Sequence, residues 1–152
     1  MQAEESVLKI EEIQQTKLVE IGWSFGQSYG GGHLAGQMIM HCLANRQRAG
    51  WGDWLSVIAK VPYFMAENQL PPVEWPDRWN GSFVKLCHIV GGVFDGSVPD
   101  MSKGALYWAD LTRIERPWFK SKIVDPIKED GPQAGQRQHP AVANLNSLTF
   151  FR

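Results

Sequence analysis

The sequence predicts a mainly helical α+β domain with a small antiparallel sheet. Three observations predict it: three segments with helical apolar spacing, two short aromatic-rich segments near the C-terminus, and a length of 152 residues that suits one core. No shift in composition marks a boundary, so residues 1–152 read as a single domain. Hydrophobic residues make up 43% and charged residues 20%, which is a globular and not a disordered composition. A net charge of −1 without a strongly basic tract argues against a dedicated nucleic-acid binder. The locally positive stretch Arg113 to Lys122 reads as a solvated loop. No apolar run approaches about 18 residues, so no membrane span is expected. The start, MQAEESVLKIEEIQQ, lacks a signal pattern, so synthesis in the cytoplasm is expected.

Residues 5–26 read as one helix or two, with Val7, Ile10, Ile13, Leu18, Ile21 and Phe25 near helical spacing. From Gln27 through Gly30-Gly31-Gly32 a loop is expected, because successive glycines make a helix costly. Leu34 to Gln47 is apolar on most faces and predicts a central buried helix. Asp53 can cap a short helix that Pro62 ends. Residues 66–78 carry three prolines and read as an irregular loop, and Trp75 within it and Trp79 just after it suit a lid or an interface. Asn80 or Ser82 starts another helix, which ends near Gly96. GALYWADL (104–111) fits a short strand, and the closing SLTFFR fits a strand that pairs with it. Between them, residues 112–143 show little periodicity and predict a long irregular segment.

Cys42 and Cys87 each sit in an apolar helical segment and read as small buried thiols. His41-Cys42 and Cys87-His88 suggest zinc, but helix neighbours point about 100° apart and cannot easily share an ion, so no metal is expected. Gly30-Gly31-Gly32 lacks the strand before it and the Gly-Lys-Ser/Thr after it that a phosphate loop needs, so no cofactor is expected.

Several short motifs occur in a recognisable order. Gly26-Gln27 is followed by an apolar helix ending in Asn45-Arg46, then by the turn Pro62-Tyr63-Phe64. Val98-Pro99-Asp100-Met101-Ser102-Lys103-Gly104-Ala105-Leu106-Tyr107-Trp108 comes next, and Pro117-Trp118 and Phe150-Phe151-Arg152 close the set. Over roughly residues 18–152 this order resembles the SleB-like cell wall hydrolases, known from spore germination and from bacteriophages. The family pattern is a Gly-Glu-Ala-Arg-Gly-Glu-like start, a helix ending in Asn-Arg, a Pro-x-x-Phe turn, a Gly-Ala-x-x-Phe/Tyr segment and a terminal His-x-Phe-Tyr-Arg. The chain departs from it in three places. Counting back 18 residues from Asn45 puts Gln27 at the family's catalytic glutamate. Gly31 stands at the second glutamate, and Ser147 or Leu148 at the terminal histidine.

The resemblance implies a lysozyme-like domain that cuts the glycan of peptidoglycan, often as a lytic transglycosylase. That reaction needs a carboxylic acid to protonate the glycosidic oxygen. Glutamine has nearly the shape of a protonated glutamate but cannot transfer a proton. The implied groove contains Gln27 at the catalytic position and Tyr63, Phe64, Tyr107, Trp108 and Asp110 as substrate-binding residues. Tyr107 and Trp108 alternate along a strand, so one faces the core and the other is free to stack on a sugar. Three accounts of Gln27 stay open: a substitution made to trap substrate, a non-catalytic domain, or another carboxylate in the role, with Asp110 and Glu67 as candidates and Glu20, seven residues before Gln27 and about 10 Å away, too far for direct replacement. The implied partners are peptidoglycan glycan strands or other bacteriophage structural proteins, in a virion or at the host cell envelope. The second role would use residues 112–143 for docking.

Overall fold

The computed structural model describes residues 2–29, 32–59, 81–110 and 119–152. Tyr63, Phe64, Glu67, Trp75 and Trp79 lie outside the described residues. The fold is α+β and mainly helical. Helices α1 (Gln2–Tyr29), α2 (Gly32–Arg48), α3 (Trp54–Ala59) and α4 (Gly81–Asp95) precede strands β1 (Tyr107–Asp110), β2 (Ala141–Leu145) and β3 (Leu148–Phe151).

The periodic residues 5–26 form one helix. Its C-terminal half buries Leu18, Val19, Trp23 and Phe25. The loop expected from Gln27 begins later, because α1 continues through Tyr29. Gly32 then takes φ +62° and opens α2, a left-handed conformation that suits glycine. Helix α2 is central, as its composition predicts: Ala35, Met38, Ile39, Met40, Cys42, Leu43 and Ala44 are all buried.

The two helices meet through glycines spaced four apart on each. A Cβ added at Gly22 would lie 2.9 Å from the Gly36 carbonyl oxygen, and one added at Gly36 would lie 2.6 Å from that of Gly22. At Gly26 it would lie 2.4 Å from the Gly32 carbonyl oxygen. Backbone therefore touches backbone, with no room for a side chain. Leu86, Val90 and Val93 of α4 complete this core.

Asp53 caps α3 as expected, its Oδ1 accepting the Ser56 N–H at 2.8 Å. Helix α4 ends at Gly96, with φ +83°, and Arg48 Nη2 donates to the Val93 carbonyl at 3.3 Å. Cys42 is buried, but Cys87 is exposed on α4, which corrects the expectation for that thiol.

The sheet has the order β1-β3-β2 and is antiparallel throughout. The closing strand pairs with GALYWADL as expected, placing Trp108 opposite Phe150 and Asp110 opposite Leu148. Strand β2 is an addition that composition does not reveal. It joins β3 through a two-residue turn in which Asn146 takes φ +52°, a conformation asparagine tolerates. Trp108, Leu148 and Phe150 face the helices. Ala109 and Phe151 face the other way, into a smaller cluster with Phe119 and Ile123.

The described part of 112–143 is not structureless. A π-helical turn (Lys120–Val124) covers the sheet. Beyond it, an Ile127–Arg137 bridge and bonds from Lys128 N to Gln136 O (2.8 Å) and Gln138 N to Pro126 O (2.8 Å) close a turn-rich loop.

Gly36→Ala is expected to destabilise the chain by on the order of 1–3 kcal/mol in urea denaturation, because the added methyl meets fixed backbone. Gly91→Ala, on an exposed face of α4 with nothing within 4 Å of the new Cβ, is expected to stabilise it by about 0.5–1 kcal/mol. A Gly36→Ala chain as stable as the parent would show that the α1–α2 contact does not hold the fold.

Candidate functional site

Two sequence-distant motifs meet at the C-terminal end of α2. The turn before β1 places Asp100 so that its carboxylate accepts Ser102 N (2.8 Å), Ser102 Oγ (2.6 Å) and Gly104 N (2.8 Å). Asn45 reaches across from α2, and its Nδ2 donates to Asp100 Oδ2 at 2.9 Å and to the Ala105 carbonyl at 3.0 Å. Burial alone would raise the Asp100 pKa. The bonds from Ser102, Asn45 and Gly104 outweigh it and hold the carboxyl below its ordinary value.

Arg46, the next residue, is buried at 6% exposure. Its Nε donates to the Leu106 carbonyl at 2.7 Å, beside the start of β1. Its guanidinium lies 4.8 Å from the Trp51 ring centroid, 4.7 Å from that of Trp108 and 5.8 Å from that of Tyr107. Burial brings its pKa down to about 10, so it stays charged at neutral pH. Burial also pushes the Cys42 thiol up to about 12, which makes it a poor nucleophile.

His41 completes the buried side of this cluster. It is 2% exposed, its Nδ1 lies 3.9 Å from Asp100 Oδ1, and its Nε2 has no hydrogen-bond partner among the described residues. Burial lowers its pKa, opposed by Asp100 and helped by Arg48.

The expected groove residues separate. Gln27 is exposed on the last turn of α1, where its side chain makes no hydrogen bond among the described residues. Trp108 is 9% exposed and packs edge-on against Phe25, with centroids 5.3 Å apart. The expectation that it lines a groove is corrected: it is a core residue. Asp110 is corrected likewise, since it is 1% exposed, faces the helices and accepts Ser147 Oγ at 3.0 Å. Tyr107 alone of the three keeps solvent access, half-buried between Trp51 and His139. Glu20 lines an open cleft of about 430 Å³ with Glu12, Ile13, Thr16 and Lys17, and Gln27 does not line it.

Among the described residues no group of three or more His, Cys, Asp or Glu is placed to hold a metal ion, and no helix is long and apolar enough to cross a membrane. No family model, curated protein or solved structure matches this chain. Sequence reasoning found Asn45-Arg46 and the Asp100–Ala105 segment as motifs but not as partners. It weighed His41 only as a zinc ligand and missed His139, for which the only signal was a histidine before a proline.

Asn45→Ala is expected to lower stability by about 1–3 kcal/mol in urea denaturation, because it removes a charge-assisted bond to Asp100 and leaves the Ala105 carbonyl short of a donor. A second expectation concerns pH. The folded chain favours neutral His41, so the unfolded chain binds that proton more tightly. Stability should be complete above His41's ordinary pKa of 6.5 and fall as pH drops through that value toward the lower folded one. Denaturation midpoints from pH 8 to pH 5 check this; His41→Leu should flatten the slope, and an unchanged slope would assign the titration to another group.

Proposed function

We propose that this chain is a peptidoglycan-directed domain of the SleB-like cell wall hydrolase type, catalytically impaired because Gln27 stands where the general acid belongs. One observation carries the reading. Asn45-Arg46 and the Asp100–Trp108 segment, the motifs on which the resemblance chiefly rests, are joined by hydrogen bonds and cation–π contacts into one unit. The two motifs, far apart in the sequence, thus form one structural unit, which supports the reading.

Gln27 stands on the last turn of α1. Gly26 is pressed against the α2 backbone, which fixes the last turn of α1, while the neighbouring amide stays open to solvent. Such an amide can hydrogen-bond a glycosidic oxygen but has no proton to give. General acid–base catalysis contributes typically about 10²–10⁴-fold, so its loss leaves binding without useful turnover. Among the alternative acids, Asp110 is buried and Glu20 lies seven residues before Gln27, roughly 10 Å along α1. On the resemblance alone, Tyr63 and Phe64 remain substrate-binding candidates. A second reading, assembly into a bacteriophage particle, draws on the exposed 126–138 loop, where Ile127 is 50% exposed.

The wild-type chain is expected to sediment with purified peptidoglycan sacculi and to leave no clearing in a zymogram. Gln27→Glu should produce clearing, with turnover on the order of 10²-fold or more above wild type. A folded Gln27→Glu chain that neither binds sacculi nor clears the gel would overturn the reading, and co-purification with a virion would then favour assembly.

A further inference from the structure

We infer that the exposed face of α1 docks onto α1 of a second copy of this chain, the two helices running antiparallel about a two-fold axis level with Gln14 and Gln15. The inference is independent of the peptidoglycan reading. Helix α1 turns one side to the core, where Leu18, Val19, Trp23 and Phe25 are buried. On the other side Glu12, Ile13, Thr16 and Lys17 are exposed. At 52% exposure, Ile13 is more open to solvent than any other large hydrophobic residue among the described ones. With Glu20 these residues recur at intervals of three and four, so they form one stripe along the helix. The stripe bounds an open cleft of about 430 Å³, to which α1 alone contributes among the described residues. That cleft leaves room for side chains of a second molecule.

The stripe is complementary to itself. Lys9 precedes Glu20 by 11 residues, about three helical turns, so both positions fall on the face that Ile13 marks. Lys9 and Glu20 are equally far from the point between Gln14 and Gln15, as are Glu12 and Lys17, and Ile13 and Thr16. Turning one copy through half a revolution about that point sets each charge level with one of opposite sign. Lys9 of each copy comes level with Glu20 of the other, and the two Ile13 side chains meet beside the axis with Thr16. A parallel pair would instead set Glu20 against Glu20 and Lys9 against Lys9, so charge selects the antiparallel arrangement. Within one copy Glu12, Lys17 and Glu20 form no ion pair among the described residues, which leaves their charge to a second molecule.

Size sets the strength of the contact. From Lys9 to Glu20 the helix axis runs roughly 17 Å, so the surface lies at the small end of specific interfaces. Burial of Ile13 and its symmetry mate supplies the apolar centre, and the charges around it are screened by salt. The result is a reversible, salt-sensitive dimer rather than a permanent one.

Sedimentation equilibrium of the full chain tests this, with reductant present because Cys87 is exposed and a disulfide would mimic the dimer. The wild-type chain should form dimers with a Kd on the order of 10–100 µM at low ionic strength, weakened severalfold in about 0.5 M salt. Lys9→Glu and Glu20→Lys should each weaken the dimer by about tenfold or more, and combining them should restore it, because the exchanged charges pair again. Circular dichroism should show the same helix content in all four chains. A wild-type chain that stays monomeric at about 1 mM overturns the inference. So does a dimer that both single reversals leave intact, or one that the combined reversal fails to restore.

Discussion

The close approach of α1 and α2 is the constraint on which the other contacts depend. Side chains normally keep helix axes about 8–10 Å apart. Here Gly22 and Gly26 of one helix face Gly36 and Gly32 of the other, so backbone atoms touch. This contact sets where α2 runs, and α2 carries His41, Asn45 and Arg46. It also fixes the last turn of α1, and with it Gln27. A methyl group at Gly36 would push against fixed carbonyls and shift every residue that α2 presents to the sheet.

The end of α2 attaches the sheet by polar means. Asn45 holds the Asp100 turn and Arg46 holds the backbone just before β1, which is the edge strand of the sheet. A charged side chain at such an edge serves two purposes. It satisfies a carbonyl that no neighbouring strand pairs, and it discourages pairing with another chain. Arg46 bears the cost of burial because Trp51, Trp108 and Tyr107 surround its guanidinium. The same rings give this corner its aromatic surface.

Proposed chemistry and fold place different demands on the chain. The fold needs Gly26, Asn45, Arg46 and Asp100, and each is present and engaged. The proposed proton transfer would need a carboxylic acid at position 27, and an amide is there.

Periodicity and composition determined the helices, the α+β class and the pairing of the last strand, because apolar spacing and aromatic runs act locally. They also determined the Asp53 cap and the Gly96 stop, where one residue's chemistry decides. Tertiary contacts decided the rest. Three glycines in a row predicted a loop from Gln27, but packing of Phe25 and Gly26 carries α1 on to Tyr29. Strand β2 was hidden because AVANL has small side chains and its turn, Asn146-Ser147, is a weak signal. Asp110 reads as a groove residue in the sequence, yet the sheet turns it inward to Ser147. Which of Tyr107 and Trp108 faces solvent could not be told from alternation, since the period of two is the same in either register. Only the position of α1 and Arg46 against β1 made Trp108 the buried one.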